Sequence, residues 1–284
     1  MSALKKNHHK PFDMKPILLT LITLTTLGSC RTNPSEVIGE AQPLSIYKDH
    51  LYQYSIIDAL LAGVFEGELT ISELKTKGDF GIGTFNSLDG EMIVVDGKVL
   101  KMRYNGEIVE VGGDEKTPLA YVKFFQADTS FVLHGPNFTF EELKERLAPY
   151  LNSNEIYAIR LKGNFDRVDA RSVAPIPKPY PELADYLASG GQTSFTFKET
   201  SGTCIGFIAP EFTAQVNIPG YHLHFIDDDR ENGGHVFGFQ ADSLSVEIDR
   251  IQGFIVDMNS HPDFRTIDLQ KNRKKELEVV EQKQ

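Results

Sequence analysis

Two-residue turns constrain the fold of this chain more than any other feature. Asp96-Gly97 and Asn105-Gly106 separate short runs of branched and apolar residues at 91–95, 99–103 and 108–111. Asp-Gly and Asn-Gly supply the positive φ angles that tight hairpins require. With residues 80–85 ahead of them, these runs predict an antiparallel meander. Residues 119–125 and 129–133 continue the strand pattern. Thr139-Phe-Glu-Glu142 then offers a capping box for a helix running to about Leu151. A strand follows at 156–162, and the proline-rich stretch 174–181 forms a rigid connection into a short helix over 182–188. Earlier in the chain, residues 55–62 followed by Gly63 read as a helix with a serine cap and a glycine stop. Further strands are expected at 193–198, 203–208, 215–218 and 242–251. The fold class that results is α+β, two strand-rich lobes with mixed and antiparallel sheets and few helices. The N-terminal β-rich lobe is expected over 46–173 and a C-terminal metal-binding lobe with a tail over 174–284.

The first residues fall outside that fold. Met14-Lys15 opens an apolar stretch of signal-peptide length that ends in Leu27-Gly28-Ser29-Cys30. It is threonine-rich and shorter than the run of about 20 apolar residues a spanning helix needs. Residues 1–29 are therefore expected to be a leader of lipoprotein type, with Cys30 lipidated, residues 30–45 a polar tether, and the protein exported and membrane-anchored. Met1 and Met14 are both available as starts. If Cys30 carries lipid, Cys204 has no intramolecular partner, and its apolar surroundings suit a buried core thiol. The chain holds 29 basic and 40 acidic side chains, a net charge of -11. That balance opposes a sequence-independent grip on phosphates and excludes a nucleic-acid role.

Chemistry concentrates in Gly220-Tyr-His222-Leu-His224-Phe-Ile226 and Gly233-Gly-His235. On a strand, residues two apart leave the same face, so His222 and His224 can share one ion. The polar run 227–234 closes in two glycines and reads as a hairpin that returns His235 on a neighbouring strand. Three protein ligands with a fourth position left open is the pattern of a catalytic zinc site. Against this, 8 histidines in 284 residues make a His-x-His pair a weak signal by itself. Half-buried strand histidines that satisfy backbone carbonyls are the competing reading. Accessory carboxylates and an arginine are also required. Glu91 after Leu88-Asp-Gly90 and Arg171 after Val168-Asp-Ala170 are candidates, although ion pairing is the commoner fate of such residues.

Longer motifs resemble those of the alpha-acetolactate decarboxylase family across residues 47–281. They are Gly78-Asp-Phe-Gly-Ile-Gly-Thr-Phe-Asn-Ser-Leu-Asp-Gly-Glu91, Tyr157-Ala-Ile-Arg160, Val168-Asp-Ala-Arg171 and the two histidine segments. The resemblance implies that His222, His224 and His235 carry zinc, that Glu91 is the carboxylate beside it, and that Arg171 reaches into the site. It also implies that a tail glutamate folds back over the metal; Glu278 and Glu281 compete, and Glu278 is favoured. The resemblance implies decarboxylation of 2-acetolactate to acetoin, and a homodimer. Other readings are an exported hydrolase or oxygenase with a three-histidine site, or a noncatalytic lipoprotein that binds a metal or keto acid.

Overall fold

The computed structural model describes residues 48–281. The expected leader at 1–29, the lipidation site Cys30 and the tether at 30–45 lie outside the described residues. In chain order, β1 (His50–Tyr54) is followed by α1 (Ile57–Leu61), β2 (Leu69–Thr70) and α2 (Ile71–Lys75). Next come β3 (Phe80–Thr84), β4 (Glu91–Val95), β5 (Lys98–Met102), β6 (Ile108–Glu110), β7 (Lys116–Thr117) and β8 (Ala120–Lys123). The second half contains β9 (Thr129–Thr139), α3 (Phe140–Leu147), β10 (Ile156–Val173), α4 (Leu183–Ala188), β11 (Gln192–Ala209), β12 (Gly220–Asp227) and β13 (Gly233–Ile251). β14 (Gly253–Asp257) and α5 (Lys274–Glu281) close the described chain.

The predicted meander is present as β3 to β6 within a seven-stranded sheet of order β14-β1-β8-β3-β4-β5-β6. Asp96 and Gly97 both have positive φ, 49° and 72°, as their hairpin requires. All pairings in this sheet are antiparallel except β1 with β14. The second sheet has order β10-β11-β12-β13-β9, and β10 also pairs along most of its length with β13. The sheet therefore closes on itself where β12 meets β13, at the histidine hairpin.

Strand membership departs from the expected lobes. β9 and β10, at residues 129–173, belong to the second sheet, while β14 returns from the far end of the chain to the first. The sheets thus do not divide at 173/174. Their facing sides share one core, in which Phe80, Ile82, Ile93 and Leu100 of the first sheet pack with Ala158, Ile205 and Phe207 of the second. Burying a large side chain there contributes about 1.5–3 kcal/mol. A second cluster joins the five-stranded sheet to α3, whose capping box at Thr139 and Glu142 forms as expected. The buried ion pair of Lys123 on β8 with Asp249 on β13 also links the two sheets.

Several local expectations change. Ser55 has φ 67° and does not cap α1; the N-cap is Ile56, without a side-chain bond. The first α1 amides instead reach back to 215–218, which is irregular rather than a strand. Ile57 N–H donates to Val216 O at 3.0 Å and Asp58 N–H to Gln215 O at 3.2 Å, so these carbonyls serve the helix and not a ladder. The strands expected at 193–198 and 203–208 are one continuous β11.

Candidate metal centre and active site

β12 and β13 are placed in register by their connection. Asp227 Oδ1 accepts from Glu231 N–H at 2.8 Å and Oδ2 from Asn232 Nδ2 at 2.6 Å. That register sets His224 directly opposite His235, with His222 two residues along on the same face. Gly234 has φ 152°, and a Cβ there would lie 2.5 Å from Arg171 O, so the close approach of β13 to β10 requires glycine. The three imidazoles are buried, and their ligand atoms lie within 4.8 Å of one another.

Their chemistry fits a divalent cation. His224 Nδ1 faces Met92 O of β4 at 2.8 Å, which makes Nδ1 the protonated nitrogen. Its Nε2 then carries the lone pair, is buried, and has no hydrogen-bond partner among the described residues. A backbone carbonyl that fixes the tautomer and aims the ring is the usual support of a histidine ligand. Burial holds all three rings well below the ordinary histidine pKa, aided by the nearby Arg171 charge, and keeps them neutral at neutral pH. Neutral imidazole is the metal-binding form.

Glu91 enters from the other sheet. It begins β4 after a tight turn in which Ser87, Leu88 and Gly90 all have positive φ, and Thr84 Oγ1 donates to Gly90 O at 2.8 Å to hold that turn. Its Oε2 lies 3.8 Å from His224 Nε2. With the imidazole neutral, this contact is not an ion pair. Burial raises the Glu91 pKa to about 7; Arg171 and the Val173 amide oppose the rise, and Glu281 adds to it. Both protonation states are thus accessible near neutrality, as general acid–base work requires. Arg171, near the end of β10, pairs across the sheet with His235, and its guanidinium lies 5.3 Å from the Phe237 ring. Nη1 donates to Gln192 Oε1 at 2.9 Å, and Nε is buried without a partner among the described residues.

The tail contributes Glu281 and not Glu278. Glu281 Oε2 lies 3.4 Å from His235 Nε2, whereas Glu278 is exposed and borders only the larger neighbouring cavity, which contains none of the histidines. Leu277 and Val280 bury the face that carries Glu281. Arg273, itself buried, docks the start of the helix through Glu182 at 3.1 Å and Glu276 at 2.6 Å. Two further residues at the site went unsingled in the sequence: Gln192, which holds Arg171, and Tyr121 of β8, whose ring meets His222 edge-on at 5.7 Å. Both sit in strand-like runs where an aromatic or amide carries no functional signature.

Histidines, Glu91, Arg171, Tyr121 and Glu281 all line one small cavity of about 50 Å³, walled by Leu88, Leu119, Val173 and Ile218. A larger cavity between α1, α5 and residues 211–219 shares Ile218 and Glu281 with it but contains none of the histidines. The smaller space therefore holds the chemistry, and the larger one adjoins it at Glu281.

The profile of the family described as alpha-acetolactate decarboxylase matches residues 51–271. The chain belongs to the alpha-acetolactate decarboxylase family. It is 44% identical over 234 residues to the alpha-acetolactate decarboxylase of Methanosarcina mazei, covering 82% of this chain and 80% of that protein. The Brevibacillus brevis member is 40% identical over 222 residues, covering 78% and 77%. The crystal structure of alpha-acetolactate decarboxylase from Bacillus subtilis strain 168 superposes with a TM-score of 0.79 at 34% identity, covering 82% of this chain and all of that one. The family matches thus extend over the two sheets and the histidine hairpin that the motifs 78–91 and 220–235 had pointed to.

Proposed function

We propose that this acetolactate decarboxylase family member converts 2-acetolactate to acetoin and carbon dioxide, with zinc held by His222, His224 and His235. The observation that carries the reading is the convergence of three neutral, buried imidazoles with Glu91 and Arg171 on one small cavity. Imidazole nitrogens without thiolates suit zinc and leave room for a substrate. When bound there, the ion supplies Lewis acidity toward the substrate's oxygen atoms.

The remaining work falls to the chain. Arg171 presents a buried guanidinium fixed by Gln192, suited to orienting the substrate carboxylate. The apolar wall of Leu88, Leu119, Val173 and Ile218 strips water from that carboxylate. Loss of carbon dioxide disperses the charge that such a wall solvates poorly. The electron pair of the breaking carbon–carbon bond passes into the neighbouring ketone, giving an enolate. Glu91, whose proton burial retains to about pH 7, delivers that proton to carbon and completes acetoin. Glu281 faces the same space from α5 and is the second carboxylate available to the histidines.

Zinc-loaded protein supplied with 2-acetolactate is expected to release carbon dioxide and acetoin in equal amounts, and His222→Ala to lose both bound metal and turnover. Full turnover by a metal-free His222→Ala protein overturns the reading. Nothing in the site favours the hydrolase, oxygenase or noncatalytic alternatives over it. Export and a lipid anchor on Cys30 stay with this proposal on the leader sequence alone, and a dimer on family resemblance alone.

A further inference from the structure

The buried groups of the cavity have assigned tasks except one. Tyr121 is almost fully enclosed, and its hydroxyl has no hydrogen-bond partner among the described residues. A buried hydroxyl without a partner is a standing cost, and natural cores rarely retain one without use. Phenylalanine would fill the same space without that cost. The hydroxyl is carried on a rigid support: β8 is the central neighbour of β1 and β3, and the ring is held between His222 at 5.7 Å and Phe207 at 6.3 Å. Tyr121 lines the cavity that contains the histidines, Glu91 and Arg171.

Position selects the oxygen it serves. Arg171 stands on the His235 side, paired with that residue across the sheet, and Tyr121 stands on the His222 side. A substrate whose carboxylate points to Arg171 directs its ketone away from it, toward the other side of the histidine cluster. We propose that the Tyr121 hydroxyl donates a hydrogen bond to the substrate's ketone oxygen, the atom on which negative charge collects as carbon dioxide leaves. This rests on the decarboxylase reading and adds to it a catalytic residue. No proton is transferred at this step: the bond between the carboxylate carbon and its neighbour breaks, its electron pair moves into the carbonyl, and the phenol stays intact as a donor to the resulting enolate oxygen. A donor aimed at charge that develops only during reaction lowers the barrier more than it strengthens substrate binding.

Tyr121→Phe tests it. Because the bond forms mainly as charge develops, kcat is expected to fall on the order of 10²-fold, with KM changed less than about threefold. Metal content is expected to equal the parent's, and the unfolding midpoint to be the same or higher, since the lost hydroxyl had no partner to leave behind. A purely structural tyrosine predicts the reverse. A variant that turns over within about twofold of the parent overturns the inference. So does one whose lost rate is matched by lost metal or a lowered midpoint. A parent protein that releases no carbon dioxide from 2-acetolactate defeats the decarboxylase reading itself and this inference with it. That failure is distinguishable because it is seen before any substitution is made.

Discussion

Glu91 is the residue on which burial and function oppose each other. Its pKa, raised from 4.5 to about 7, means that the folded chain binds a proton that the unfolded chain releases between those values. Where the native state binds more protons, stability falls as pH rises. The loss therefore develops between about pH 4.5 and 7 and is complete above it. At 1.36 kcal/mol per unit it amounts to at most about 3.4 kcal/mol. Glutamine resembles the neutral acid and avoids that loss. In chelator, Glu91→Gln is expected to be more stable than the parent by about 1–3 kcal/mol at pH 8 and equal to it near pH 4, measured by urea unfolding. Equal stability at both pH values argues that Glu91 is solvated or paired and not held protonated by burial. A bound cation favours the carboxylate, so metal narrows the difference. At this scale the three histidines were legible because a period of two and a glycine-closed turn together imply one face and one meeting point. Tyr121 was not, since Leu119-Ala-Tyr-Val122 reads as core and the uncompensated hydroxyl exists only once the strand is placed against His222.

α5 shows how an element decides between two chemically identical residues. Arg273, Leu277, Val280 and Glu281 follow helical spacing along one face, and the first three are buried. Glu278 lies a quarter-turn away and interacts with Lys274. The apolar pair Leu277 and Val280 carries this signal in the sequence, and the choice of Glu278 passed over it. Removing Glu281 takes away a carboxylate 3.4 Å from His235, whereas removing Glu278 changes an exposed residue that borders only the adjoining cavity. Glu281→Gln is expected to weaken zinc retention against a competing chelator by at least about tenfold, and Glu278→Gln by less than about twofold. Equal effects place the helix elsewhere in solution. The meander was legible for a different reason, because Asp96-Gly97 specifies its backbone angles directly; Asn105-Gly106 lies instead within a longer connection at 103–107, where Gly106 has positive φ and Asn105 does not. The β1–β14 pairing and the shared membership of β9 and β10 were not, since no local signal reports a partner some 200 residues distant.

Across the whole molecule, the cavity is a junction. The histidines come from the five-stranded sheet, Glu91 and the Met92 carbonyl that orients His224 come from the seven-stranded one, and Glu281 comes from the C-terminal helix. A cation at the histidines therefore draws on contacts that exist only when all three parts are assembled, and it has little affinity for the unfolded chain. Ligand present at about 1,000 times its dissociation constant stabilises such a state by about 4 kcal/mol. For a domain of this size each kcal/mol moves the midpoint by about 2–4 °C. Each sheet also has an apolar cluster of its own, but the largest core is shared between them and Lys123–Asp249 crosses from one to the other, which couples their unfolding. Chelation is expected to lower the thermal midpoint by roughly 10 °C while leaving a single transition. Scanning calorimetry of zinc-loaded and chelated protein measures both quantities. Two separated transitions after chelation would mean that the sheets unfold independently, and an unmoved midpoint would mean that the histidines retain no metal in the folded protein.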